Sequence, residues 1–150
     1  MQSNSKLYMP LSYGAPWVKK RFGKIAQFLF LKRYEPLMTY IPRDQYNAII
    51  CSCSAVVMNH YRPNAFGNIL TALWLGARVY ISKYNVQTRF LQRLGLHVNI
   101  IETDLNKKNP DIFKPLSDKE REENRAIIRN KYGIEQMRKN IANIVSILDS

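Results

Sequence analysis

The chain has 150 residues, 46% of them hydrophobic, enough for one ordinary domain that buries about two thirds of its unfolded surface. Its formal charge of +12, from 23 Lys and Arg against 11 Asp and Glu, favours an anionic partner: nucleic acid, acidic phospholipid or a phosphorylated metabolite. No apolar run reaches the roughly 18 residues of a membrane-spanning helix, and the opening MQSNSKLYMPLS lacks the pattern of a secretory signal, so a cytoplasmic protein is expected, peripheral on the membrane at most.

In chain order, KLYMPLS (6–12) reads as a strand closed by the turn Ser12-Tyr13-Gly14. Pro16 then opens a helix over 15–31. Trp17, Val18, Phe22, Ile25, Ala26, Phe28 and Leu29 form its apolar side, and Lys19, Lys20, Arg21 and Lys24 its basic outer face. An extended piece near 36–40 precedes a helix that Pro42 opens and that runs through Tyr46, Ile49 and Ile50. SAVVM (54–58) is a β-branched run of the kind found in a strand covered on both faces. After a polar bend comes a helix of about ten residues ending at Gly76. RVYIS (78–82) and HVNII (97–101) read as further strands, with a helix over 86–94 between them, capped by Asn85 and stopped by Gly95. Residues 106–115 are loop-like, and SDKE (117–120) is a capping box opening a charged helix to about Lys131. Beyond Gly133, a last helix carries the stripe Ile134, Met137, Ile141, Ile144, Val145 and Leu148, expected to pack on its own sheet or on a facing half.

Strands alternating with helices imply an α/β fold, Rossmann-like, with a mainly parallel doubly wound sheet. The whole chain, 1–150, reads as one domain, with residues 116–150 as its carboxyl-terminal helices. In such sheets ligands settle where strands end in loops. Two of these loops are polar: Ser12-Tyr13-Gly14, and Asn59 to Asn68. On one parallel sheet both would lie on one rim. The second loop enters a helix, whose first N–H groups and dipole favour an anion; Arg62 adds a planar fork for phosphate oxygens. Gly67 permits close approach of a ligand to the backbone, and Asn59, Asn64 and Asn68 donate and accept hydrogen bonds. The candidate site is therefore Ser12, Tyr13, Gly14, Asn59, His60, Arg62, Asn64, Gly67 and Asn68. The same residues also admit a structural reading: Asn59 or Asn64 as helix caps, Gly67 for helix packing, His60 as a hydrogen-bonded structural group, Ser12 to Gly14 as turn chemistry.

Cys51 and Cys53 form a lone C-x-C without a second pair and read as buried free thiols, so no metal is assigned. Carboxylates are few in this region: Glu35, Asp44, Glu102 and Asp104. Glu102 and Asp104 follow the strand 97–101 and could reach the rim, but read rather as solvated strand-end groups, and no catalytic residue is assigned.

MPLSYG, IPRDQYNAII and VVMNHYRPNAFGNILTALWLGARVYIS, in this order, resemble the carboxyl-terminal half of the 4-acetamido-4,6-dideoxygalactosyl (N-acetylfucosaminyl) transferases, glycosyltransferase family 56. The resemblance covers roughly residues 6–105 and is carried chiefly by Asn59, His60, Arg62, Ala65, Gly67, Asn68 and Ile69. The chain departs from the family at Arg62-Pro63-Asn64, where the family has Arg-Gln-Gln. The resemblance implies a GT-B architecture of two facing Rossmann-like halves, the carboxyl-terminal half holding a nucleotide diphosphate sugar such as a dTDP-linked aminodeoxysugar. It further implies a lipid-linked saccharide acceptor at the cytoplasmic face of the inner membrane, in surface polysaccharide biosynthesis of the enterobacterial common antigen or O-antigen type, with no cofactor. One half of such an enzyme, whether a truncated frame, a split subunit or a fragment, is expected to bind donor but to turn over poorly or not at all by itself. The basic faces of 15–31 and 119–139 suit an anionic membrane surface.

Two other classes compete. A nucleic-acid binder would use the charge and the nine Tyr, yet no RNP, KH or zinc-knuckle pattern is present. A non-catalytic scaffold would dock a partner on the stripe from Ile134 to Leu148.

Overall fold

The computed structural model describes residues 5–106 and 108–148. Met1 at the start of the chain and Lys107, one of the scattered cations, lie outside them. The protein is α/β, and its elements run β1 (Leu7–Pro10), α1 (Pro16–Phe30), β2 (Tyr34–Leu37), α2 (Arg43–Ser52), β3 (Ala55–Met58), α3 (Phe66–Leu75), β4 (Arg78–Ile81), α4 (Thr88–Arg93), β5 (Val98–Ile100), α5 (Ile101–Asp104), α6 (Asp118–Tyr132) and α7 (Ile134–Leu148). The chain divides into two compact units between Tyr46 and Asn47, inside α2.

In the first unit β1 and β2 pair in parallel, with Leu7 opposite Tyr34. The expected single sheet is therefore corrected: β1–β2 is one sheet and β3–β4–β5 another. Each strand of the small sheet carries a proline, Pro10 or Pro36, which removes a ladder donor and suits an edge. β2 also begins earlier than the sequence suggests, because α1 ends at Leu31, in a positive-φ conformation (φ 49°), and one turn of 3-10 helix delivers the chain straight to Tyr34. Tyr34 and Ala26 are buried, and a Cβ on Gly23 would stand 3.5 Å from the Tyr34 hydroxyl. Thus α1 meets β2 through small residues. Of the apolar side expected to form its core face, Ala26 is buried and Val18 half-buried, but Trp17, Phe22, Ile25, Phe28 and Leu29 are all exposed.

The second unit has the core. β4 lies between β3 and β5, all parallel, with Val56 opposite Val79 and Val79 opposite Val98. Val79, Tyr80 and Ile81 are fully buried, as are Ile69, Ala72 and Leu73 of α3 and Leu91 of α4. β4 is the strand that its uninterrupted apolar run predicts. β3 has a similar run but is an edge strand, and Val57 is exposed, contrary to the expectation of cover on both faces.

The charged helix α6 docks along α3. Phe66 meets Tyr132 edge to face at 5.6 Å, Arg125 Nε donates to the Trp74 carbonyl at 2.9 Å, and a Cβ on Gly76 would strike Arg121 Cδ at 2.8 Å. These pairings run the two helices antiparallel. Gly76 is required twice over, by that approach and by its φ of +94°. Asn124, fully buried, accepts the His97 N–H at the start of β5 at 2.8 Å. The capping box is present: Ser117 Oγ accepts from Glu120 N–H, and Glu120 accepts from Ser117 N–H at 2.8 Å. α7 follows Gly133 as expected, but none of its described residues is buried, so its stripe does not pack on the sheet.

Candidate functional site

At the carboxyl edge of the three-stranded sheet, the loop after β3 (59–65), the loop after β4 (82–87) and α5 after β5 come together. Asn85, 2% exposed, joins the first two. Its Oδ1 accepts the Gln87 N–H at 2.8 Å, which fixes which end of the amide is which. Its NH2 group then faces the His60 carbonyl at 2.7 Å, the Arg62 carbonyl at 3.3 Å and His60 Nδ1 at 2.8 Å. The Arg62 carbonyl is a hub, taking the Asn64 N–H at 2.7 Å and lying 3.0 Å from His60 Nδ1. Whichever ring nitrogen of His60 carries the proton, the buried Nε2 has no partner among the described residues.

With its backbone held this way, Arg62 is exposed, and its guanidinium has no carboxylate partner among the described residues. α3 begins just beyond. Its N-cap is Ala65 in the left-handed region (φ 59°, ψ 25°), and no side chain caps it, so neither Asn59 nor Asn64 acts as the cap. The Ile69 N–H is the first to find a carbonyl, that of Ala65. Gly67 and Asn68 are exposed at this open end, and a Cβ on Gly67 would meet nothing within 4 Å. The glycine is thus not there for packing. The outcome is a helix amino terminus with free donors and a nearby unpaired cation.

Glu102 braces the next strand tips. It accepts from Ser82 Oγ at 2.6 Å and from the Lys83 N–H at 2.9 Å, and Asp104 accepts the Ile100 N–H at 2.6 Å. Glu102 is exposed at the strand end, as expected of a solvated group, and Asp104 is half-buried; both carboxylates are in addition engaged by the neighbouring strand tips. The Ser82 hydroxyl first, then the Lys83 N–H, holds the Glu102 carboxyl below the usual carboxylate range. A carboxylate of lowered pKa stabilises the fold above the ordinary carboxylate range, and that contribution is lost as pH falls through its folded-state value. Glu102→Gln, which accepts hydrogen bonds but does not titrate there, should therefore be less stable than the parent at neutral pH, with the gap closing on acidification. Urea midpoints of both proteins from about pH 7 to about pH 3 check this; a gap that stays constant would refute it.

Tyr61 and Tyr84 stand beside the loops, both exposed, edge to face at 5.9 Å, with Lys83 Nζ 4.9 Å from the Tyr84 ring centre. Neither tyrosine nor Asn85 and Lys83 was marked as a site residue by the sequence. Tyr61 could have been, since it sits between His60 and Arg62; Asn85 was read as a cap for α4, which starts later, at Thr88, with no side-chain cap.

Ser12, Tyr13 and Gly14 follow β1, in the other sheet, so no shared strand edge joins them to Asn59–Asn68. Tyr13 is exposed, Gly14 needs its φ of +101°, and the Ser12 carbonyl accepts from Lys19 Nζ at 2.9 Å, which ties the bend to α1. A polar hollow of ≈ 630 Å³ lies at the amino edge of β4, lined by Arg78, Asp111, Lys114 and Glu120 among others. Its acids are engaged, Asp111 with Lys114 at 2.6 Å and Glu120 in the capping box, and Arg78 Nε donates to the Lys114 carbonyl at 3.0 Å. Cys51 is exposed rather than buried, and Cys53 is half-buried with its thiol pushed up by burial. Among the described residues, no group of three or more His, Cys, Asp or Glu is placed to hold a metal ion. No helix among them is long and apolar enough to cross a membrane. Comparison with family models, curated proteins and solved structures finds no match to this chain, so a functional reading rests on the chemistry of the loops themselves.

Proposed function

We propose that the carboxyl edge of β3–β4–β5 binds the diphosphate of a nucleotide sugar, and that the fold is the donor-binding half of a glycosyltransferase. In this reading an aminodeoxyhexose passes from a dTDP-sugar to a lipid-linked saccharide in surface polysaccharide biosynthesis at the cytoplasmic membrane face. The observation that carries it is the open amino terminus of α3: uncapped N–H groups, an unobstructed Gly67 and the unpaired Arg62 on a pinned loop. Negative charge developing on a departing diphosphate would be met by donors already in place, which costs no reorganisation at the moment of reaction. The exposed rings of Tyr61 and Tyr84 offer apolar faces for a base. Acceptor positioning and deprotonation are tasks for a facing half.

Calorimetric titration with thymidine diphosphate and with thymidine tests the reading. The diphosphate should bind at least about tenfold tighter, since it alone offers charged acceptors. Gly67→Ala should raise stability by up to about 1 kcal/mol, because nothing in the fold opposes the methyl and Ala is the better helix residue. The same methyl should weaken the diphosphate by placing an atom where its oxygens approach the backbone. Equal affinity for nucleoside and diphosphate, or full affinity in Gly67→Ala, would sink the proposal.

A further inference from the structure

The first unit carries a different surface, and it does not depend on the donor site. Helix α1, 15 residues and about 22 Å long, touches its own sheet through Ala26 and Gly23 and turns Trp17, Phe22, Ile25, Phe28 and Leu29 to the outside. At about 100° per residue these five side chains share an arc of roughly 140°. Trp17 is 67% and Phe28 80% exposed, so the apolar arc is presented along the whole helix. Lys24 lies at the border of that arc and Lys20 about 60° beyond the same edge; Arg21 falls within it, on a stem long enough to carry its guanidinium clear. From residue 7 to residue 34 the chain has Lys19, Lys20, Arg21, Lys24, Lys32 and Arg33, and not one carboxylate.

An aromatic-rich exposed arc flanked only by cations is the composition that seats a helix in the plane of an acidic bilayer surface. A second copy of the chain would bring like charge to like charge here. Helix α7 shows the contrast: its stripe is exposed as well, but its polar side carries Glu135 beside Arg138 and Lys139, and charge selects no partner for it. We infer that α1 is an interfacial membrane-binding helix that lays Trp17, Phe22, Ile25, Phe28 and Leu29 among the lipid chains of an anionic membrane, with Lys20, Arg21 and Lys24 at the headgroups.

The test uses the full chain and vesicles of phosphatidylcholine with or without phosphatidylglycerol. Trp74→Phe leaves Trp17 as the sole tryptophan reporter. The protein should sediment with the acidic vesicles and not with the neutral ones, Trp17 emission should shift to the blue on binding, and added salt should weaken the association. Lys20→Glu with Lys24→Glu should lower partitioning at least about tenfold, each cation near the surface contributing several-fold. Phe28→Ser should lower it several-fold while the circular dichroism stays that of the parent, since the ring touches no core. The inference is overturned if the folded chain ignores phosphatidylglycerol, if it binds both vesicles equally, or if it sediments while Trp17 emission stays fixed. A lipid-free dimer that Phe28→Ser dissolves would also overturn it, by showing that a second copy covers the arc. None of these outcomes alters the thymidine diphosphate titration, which reads the loops of the other unit.

Discussion

Arg62→Ala is expected to weaken thymidine diphosphate by one to two orders of magnitude, about 1.5–3 kcal/mol, the range for a hydrogen bond to a charged group. Stability should change by less than about 0.5 kcal/mol, because only the exposed side chain is removed. The pinning of the loop is done by the Arg62 carbonyl, which Ala retains: it still receives Asn85 Nδ2 and the Asn64 N–H and still faces His60 Nδ1. The two readouts thus separate ligand binding from folding. Arg62→Lys should recover only part of the loss, since an ammonium keeps the charge but not the fork. Unchanged affinity in Arg62→Ala would remove the guanidinium from the site, and an anion at the α3 amino terminus would then have to be held by backbone groups alone. If affinity and stability fell together, Arg62 would be a structural residue.

Asn85→Ala should show the opposite signature, a loss of about 2–3 kcal/mol in stability, read from urea unfolding. The substitution strands the His60 carbonyl, takes one partner from the Arg62 carbonyl and leaves the Gln87 N–H without its acceptor. Asn85→Asp decides which of these dominates. Asp keeps the acceptor for Gln87 but turns a carboxylate toward two carbonyl oxygens. If the local turn is what Asn85 provides, Asp is tolerated; if joining the two strand-end loops is its role, Asp is at least as damaging as Ala. The second outcome is expected, because three of the four side-chain contacts cross from the β4 loop to the β3 loop. Donor binding should fall as well in both variants, since the loop that carries Arg62 loses its anchor.

The two expected results divide the nine residues picked out from the sequence into different kinds. Arg62, Gly67 and Asn68 are exposed at an open helix end, where nothing in the fold accounts for the glycine or the guanidinium. His60 has a structural share, its carbonyl and Nδ1 being tied to Asn85, although its Nε2 is left without a partner. Asn59 and Asn64 do not cap α3. Ser12, Tyr13 and Gly14 belong to a bend on another sheet, so the polar rim of β3–β5 is completed instead by Asn85, Glu102 and the tyrosine pair.

Read alone, the amino-acid sequence determined nearly every element and its type, because those signals are local. The stop at Gly76, the capping box at Ser117 and Glu120, the break at Gly133 and the apolar run of β4 all act within a few residues of themselves, and each stands where its chemistry puts it. Partnership between elements was decided only by the tertiary structure. Periodicity tells that α1 and α7 have apolar sides but not that a neighbour covers them; here the large apolar residues of both are left exposed, and only Ala26 of α1 is buried. A β-branched run does not distinguish the central strand β4 from the edge strand β3. Parallel pairing acts between residues far apart along the chain, so nothing local told that β1 would pair with β2 and leave β3–β5 to form their own sheet. Asn85 shows the same limit at the scale of one side chain: a cap residue by its type, it became the anchor of the Arg62 loop because folding carried it 25 positions back along the sequence, to His60.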